Sequence, residues 1–193
     1  MDWNELRDER LAVITDLCSR APSGSLGRTA LMKLCYFLQV LKDVPLGYRF
    51  TLYSYGPFDS EVLSDLGTAE SLGAVASDIV YYRGGYGYKI QKGERADGLS
   101  GNDASFLNKY RISLDWVLNE FGRHSSADLE LESTIIFVDR EAWAKSEAIA
   151  IPELARRVRD LKPHFPESYV VAAVTKVFEK CLLKSAGLAA VGA

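Results

Sequence analysis

Catalysis or metal binding in this chain would have to start from two histidines, His124 and His164, and three cysteines, Cys18, Cys35 and Cys181. Each histidine falls between predicted helices, and neither stands near a serine or cysteine in a recognisable nucleophile motif. His124 precedes Ser125 and Ser126, which read as the lead-in to a helix N-cap. The cysteines are odd in number, widely spaced and free of any CxxC pair, so they read as reduced, buried small apolar side chains. "GGYGYK" (84–89) has glycines but neither the GxxxxGK[ST] pattern nor the strand-turn-helix setting of a phosphate loop. The acidic runs "RDER" and "DLELE" read as solvated helix faces rather than paired acids. No residue pattern here calls for a catalytic site, a metal or a cofactor, and a non-enzyme is the expectation.

The elements that would position any site follow from periodicity. Leu11, Ile14, Leu17 and Cys18 predict a first helix from about Asn4 to Arg20. After "APSGSLG", Leu31, Leu34, Cys35, Leu38 and Leu41 form a stripe that Tyr36, Phe37 and Val40 widen, which predicts a helix buried among neighbours. "YRFTLYSY" (48–55) alternates as a short extended arm and stops at Gly56-Pro57, because proline lacks a donor and restricts its predecessor. Asp59 is placed to cap the next helix, with Phe58 and Leu63 at hydrophobic-staple spacing.

"DIVYYRGGYGYKIQ" predicts a hairpin closed by Gly84-Gly85, pairing Tyr81 with Tyr88 and Ile79 with Ile90, and setting Tyr82 opposite Gly87. Beyond the polar linker at 92–103 the chain reads as helical. One helix opens at Asn102 or Asp103 and stops at Gly122, a second is entered through Ser125 and Ser126, a third opens at Pro152, and a fourth carries Val170, Val174, Val177 and Cys181. "AGLAAVGA" (186–193) reads as a loose tail. The fold class is therefore mainly α (α+β): a winged-helix-like half over 1–97 with a two-stranded hairpin, packed on a helical half over 98–185 that shares its core.

Composition narrows the function classes. The 193 residues are 48% hydrophobic and 25% charged with a net charge of −3, a globular balance without a global field for nucleic acid. No signal-peptide pattern and no apolar run near the ~18 residues of a membrane span occurs, so a cytoplasmic protein without a membrane partner is expected. In a winged helix the third helix reads DNA, but here Asp59, Ser60, Glu61, Ser64, Asp65, Thr68 and Glu70 supply no base. Phosphate contact needs lysine or arginine, and guanine is most often read by arginine.

Two binding surfaces remain. One is a protein-interaction surface of Tyr53, Tyr55, Asp59, Glu61, Asp65 and Tyr82, since tyrosines crowd residues 48–88 and are enriched at interfaces. The other is a nucleic-acid surface of Arg156, Arg157, Arg159 and Lys162, aided on the hairpin by Arg83 and Lys89. Arg28 and Lys33 form a lesser basic pair on the central helix.

"KLCYFLQ" (33–39), the aromatic arm, "YGPFD" (55–59) opening a helix, "YGYKI" and "LKPHFPESYVVAAVTKVFEKCLL" together resemble the YwgA-like proteins and, more distantly, the Panacea (SocA-like) antitoxin domain. The likeness spans most of residues 27–183; this chain departs from that pattern by a longer helical second half. Panacea domains act as antitoxins that neutralise or deliver a partner protein, and no catalytic residue carries over. The resemblance implies an interaction module of a bacterial stress or defence system, bound to a protein such as a toxin or nuclease encoded nearby, with a homodimer compatible. The alternative is a winged-helix regulator that binds DNA or RNA through the Arg156 patch.

Overall fold

The computed structural model describes residues 3–98 and 104–185. Among the described residues the chain is mainly helical, with two small two-stranded antiparallel sheets. It divides into two compact units: residues 1–51 with 58–126, and residues 52–57 with 127–193. The expected 186–193 tail and the Asn102 or Asp103 cap lie outside the described residues.

The first unit opens with α1 (Trp3–Ser19) and α2 (Arg28–Lys42). Every residue of α2 from Leu31 to Leu38 is buried, as its near-continuous apolar circumference requires. Lys33 is among them, so the basic pair expected with Arg28 does not form a surface. Arg28 instead stacks its guanidinium over the Tyr88 ring, 3.4 Å from the centroid. Asp43, in the left-handed conformation, ends α2 by donating its N–H to the Leu38 carbonyl.

The arm is extended but regular only at its end, where β1 (Thr51–Tyr53) pairs with β2 (Gly56–Phe58) across Ser54 and Tyr55. Gly56-Pro57 was expected to end the arm; it starts a second, very short strand instead. Gly56 makes the reversal with φ +85°, a conformation that costs glycine little. Then α3 (Ser60–Ser71) begins, capped by Asp59, whose carboxylate accepts from the Glu61 N–H at 2.9 Å and from the Arg49 N–H at 2.5 Å. One side chain thus caps the helix and holds the incoming arm. Val62, Asp65, Leu66 and Ala69 form the buried stripe of α3.

The hairpin follows as β3 (Val75–Tyr82) and β4 (Gly85–Lys92). Its register differs from the expected one by a residue on each strand: Tyr82 pairs with Gly85, Tyr81 with Tyr86, Ile79 with Tyr88 and Ser77 with Ile90. The turn is Arg83-Gly84, because Gly84 takes the positive φ of +105° and frees Gly85 to pair. The faces survive the shift, since the displacement totals two residues and side chains alternate with period two. Tyr82 covers Gly87 diagonally rather than directly: its ring would lie 3.3 Å from a Cβ at Gly87, and its hydroxyl donates to the Tyr86 carbonyl at 2.9 Å.

Leu26 and Ile90 exchange both backbone hydrogen bonds at 2.8 Å, an isolated antiparallel bridge. A strand-like segment between α1 and α2 therefore pairs with the hairpin. The order helix, strand-like bridge, helix, helix, hairpin is that of a winged helix, with the bridge at Leu26 and not in the 48–53 arm. We call β3–β4 the wing.

The helix expected to run unbroken to Gly122 is two, α4 (Ala104–Lys109) and α5 (Arg111–Phe121), broken at Tyr110 (φ −105°, ψ 14°). Phe106, Tyr110, Val117 and Phe121 keep helical spacing across the break, so periodicity alone could not show it. Both helices lie in the first unit. Phe121 stacks on Phe37 with centroids 4.1 Å apart, and Arg111 meets Asp16 at 2.8 Å.

The second unit contains α6 (Ser126–Ala144), α7 (Ile151–Leu161) and α8 (Glu167–Glu179). Leu131, Ile135, Leu154, Val158, Val170, Val174 and Val177 are among its buried apolar residues. Cys181 was expected on the inner stripe of α8. It lies past the helix end, in the left-handed conformation (φ 56°) and exposed, whereas Cys18 and Cys35 are buried. Burial pushes the Cys18 thiol up to about 12 and raises Cys35 further, so both stay protonated.

Candidate interaction surface and its charged neighbours

The wing is the exposed feature of the first unit. Tyr81 is 82% exposed, Tyr82 62%, Tyr86 58%, Ile79 52% and Val80 38%. Its register places Ile79, Tyr81, Tyr86 and Tyr88 on one face and Val80, Tyr82 and Gly87 on the other. Large apolar side chains therefore meet water on both faces. A hairpin of alternating pattern ordinarily buries one face, so neither alternation nor propensity alone accounts for this exposure.

Among the protein-interaction residues expected from sequence, Tyr82 lies on this wing and Glu61 is exposed on the first turn of α3. Tyr53 (67% exposed) and Tyr55 (68%) flank the reversal of the β1–β2 hairpin. Asp59 is occupied as the α3 cap. Asp65 does not belong to that surface: it is 2% exposed. Its carboxylate accepts from the Tyr48 hydroxyl at 2.9 Å and pairs with Arg10 Nε at 3.3 Å, while the Arg10 guanidinium sits 4.9 Å from the Tyr48 ring centroid. Asp65 recurs with Val62, Leu66 and Ala69 on the inward stripe, which is why a carboxylate read as surface is core.

Burial raises the Asp65 carboxyl from its ordinary value, and the Tyr48 hydrogen bond and Arg10 draw it only partly back. Burial also drives the Tyr48 phenol well upward. The Arg10 charge and the Tyr48 hydroxyl offset part of the cost of burying the Asp65 carboxylate, which would be larger for an uncompensated charge.

The nucleic-acid residues present a different picture. Arg156 makes 2.8 Å bonds to both Glu153 oxygens and a 3.0 Å bond to Asp160. Arg157 donates to Glu153 at 2.8 Å and to both oxygens of Glu147. Arg159 lies 3.4 Å from Glu167. These bonds, first from Arg156 and then from Arg157, hold the Glu153 carboxyl down to about 2. Lys162 is 2% exposed, with Nζ 2.8 Å from Glu130 Oε1 and donating to the Ser54 carbonyl. Each of the four cations thus faces a carboxylate. The Glu153 to Arg156 and Arg157 spacings (i, i+3 and i, i+4) are legible in "PELARR" and signal self-neutralisation. Arg83 and Lys89 are exposed on the wing, Lys89 directly across from Asp78.

No family model matches this chain, and no curated protein does.

The Lys162 cluster was not legible beforehand. Glu130 is buried on α6, and Nε2 of the half-exposed His164 lies 3.3 Å from it. Lys162 thereby joins α6, the loop after α7 and the reversal of β1–β2. Gly56 lies on the same side, where a Cβ would stand 3.0 Å from Ser133 Oγ and 3.1 Å from Thr134 Oγ1. These contacts join residues 130, 162 and 54, whose separations no local pattern encodes. His124 packs edge-on against Phe121 at 5.7 Å.

Among the described residues, no group of three or more His, Cys, Asp or Glu side chains could hold a metal ion, and no helix is long and apolar enough to cross a membrane.

Proposed function

We propose that this chain is a non-enzymatic protein-interaction module, an antitoxin-like or regulatory component of a bacterial stress or defence system resembling the YwgA-like and Panacea proteins. The observation that carries the reading is the wing, with Ile79, Val80, Tyr81, Tyr82 and Tyr86 in solvent. Aromatic anchors of this kind dominate protein interfaces when a partner covers them. Tyr53, Tyr55 and Glu61 are further exposed contacts. The nucleic-acid alternative is less supported, because arginines already bonded to Glu147, Glu153, Asp160 and Glu167 release few counterions when they meet phosphate.

The test is co-expression with the product of the adjacent gene, followed by affinity isolation of the complex. A complex that forms with the natural chain and is lost with Tyr81→Asp plus Tyr86→Asp supports the reading. No complex with that product, together with salt-sensitive DNA or RNA binding that falls on Arg83→Ala plus Lys89→Ala, would reverse it. Charge reversal at Glu61 is a fair secondary probe, whereas reversal at Asp65 would break a core ion pair.

A further inference from the structure

Among the described residues, the wing's outer strand is bare over its far half, from Asp78 to Tyr82, whereas at its base Val75 is buried and Ser77 donates its hydroxyl to Glu70 of α3. Ile90 of β4 is bridged to Leu26 on one side and paired with Ser77 of β3 on the other, so β3 is the edge. Among the described residues no strand pairs with the outer side of β3. It is eight residues long, contains neither proline nor lysine, and has Asp78 as its one charge. Natural edges are blunted by shortness, proline, lysine or a covering element, because a bare edge templates pairing with another chain. The exposed apolar side chains flank this edge on both faces, so cross-strand neighbours on an added strand would cover their near flanks.

We infer that β3 pairs antiparallel with β3 of a second copy of this chain, centred on Val80, joining two wings into a continuous four-stranded ribbon. This rests on the reading of the wing as an interaction surface and names its partner. A two-fold axis normal to the sheet keeps each face on its own side, so opposed residues must differ by an even number in sequence. Centring on Asp78 would oppose two carboxylates, centring on Ile79 would set Asp78 against the apolar Val80, and centring on Tyr81 would set Asp78 against the Gly84 turn. Centring on Val80 opposes Val80 with itself, and Ile79 with Tyr81 twice, with Asp78 against Tyr82. Aromatic–aliphatic and β-branched cross-strand pairs of this kind favour a sheet.

The area fits a weak, transient dimer. At the exposures given above, and with a tyrosine offering about 200 Å², Ile79, Val80, Tyr81 and Tyr82 bring roughly 450 Å² of side-chain surface per copy. Edge pairing covers only the flanks of these side chains, so the contact stays below the ~1,000 Å² of a stable interface and fits a weak, concentration-dependent dimer.

Sedimentation velocity of the full chain over a wide concentration range tests this. The natural chain passes from monomer to dimer as concentration rises. Val80→Lys sets two ammonium groups against each other at the axis and weakens the dimer by roughly tenfold or more. Lys89→Ser on the inner strand leaves it unchanged. An equimolar mixture of Ile79→Lys and Tyr81→Glu chains forms a heterodimer more tightly than either variant self-associates, because lysine then faces glutamate in this register. A natural chain that stays monomeric, a dimer that survives Val80→Lys, or a mixture without rescue overturns the proposal. A monomer that still binds the neighbouring gene's product through Tyr81 and Tyr86 would overturn the dimer and leave the proposed function standing. A Val80-dependent dimer that binds no such product would support the dimer and count against that function.

Discussion

The two hairpins of this chain are built from similar residues and put to opposite uses. The β1–β2 reversal is held from inside: Lys162 donates to the Ser54 carbonyl, and the Gly56 backbone lies against Ser133 and Thr134 of α6. Among the described residues the wing is held at its base, through the Leu26–Ile90 bridge, the Arg28–Tyr88 stack and the Ser77 hydroxyl bonded to Glu70, while its far end meets solvent. A buried polar clamp makes a turn part of the fold. An exposed apolar strip with no clamp leaves its surface to a partner. Substitutions at the first should therefore change stability, and substitutions at the second should change association.

The largest expected effect lies at Lys162. Lys162→Met strands Glu130 and the Ser54 carbonyl, costing about 3–5 kcal/mol and lowering the thermal midpoint by roughly 10 °C in calorimetry. The double variant Lys162→Met plus Glu130→Leu should recover most of that loss, since a buried ion pair exchanged for apolar residues is often near neutral. A double variant no better than the single would mean that the pair is not the unit that matters.

Gly56→Ala comes next. The positive φ and the 3.0 Å approach to Ser133 Oγ should cost about 2 kcal/mol, read from urea unfolding. Gly84→Ala on the wing shares the positive φ but has open space around it, so it should cost less, about 1 kcal/mol. Equal losses at the two glycines would erase the contrast between a clamped and a free turn.

A smaller effect is expected from acid. Glu153 is depressed from its ordinary 4.5 to about 2 by Arg156 and Arg157. The folded form therefore holds fewer protons than the unfolded one between those values. Its contribution is fully present above pH 4.5 and lost as pH falls toward 2. Carboxyl NMR should place the Glu153 midpoint near 2, and Arg157→Ala should move it upward. The Glu153 and Arg157 side chains lie at the surface, 36% and 34% exposed, so solvent screens the pair and the effect on overall stability is slight. Asp65 acts in the opposite sense. Its raised carboxyl binds protons more readily when folded, so its burial penalty is relieved as pH falls through the carboxylate range.

The smallest effect on stability belongs to Tyr81→Ser, within about 0.5 kcal/mol, despite the size of the side chain removed. The same variant should weaken association. A loss of stability comparable to that of Gly56→Ala would mean that Tyr81 packs within the fold after all.

Local pattern made the helices and the wing legible. The stripes of α2 and α3, the Asp59 cap and the alternating faces of 77–90 follow from spacings of a few residues. The register slipped because Gly84-Gly85 offers two placements for one positive φ, and only the pairing geometry selects Arg83-Gly84. Asp65 was misplaced because side-chain polarity was weighed above stripe position. The i, i+3 and i, i+4 carboxylate partners of Arg156 and Arg157 were also legible in "PELARR", and they weigh against the nucleic-acid alternative.

By itself, the sequence determined which segments are helical, where α3 is capped, and that the wing's side chains alternate between two faces. These depend on backbone sterics and on neighbours within a turn or a strand pair. Only the tertiary structure decided that Asp65 and Lys162 are core, that Leu26 and not the arm supplies the strand beside the wing, and that the wing's tyrosines stand in water. Those outcomes depend on which distant groups arrive to satisfy a charge or cover a surface. Arg10 with Asp65, and Ser54 and Glu130 with Lys162, meet across separations at which sequence spacing carries no geometric information.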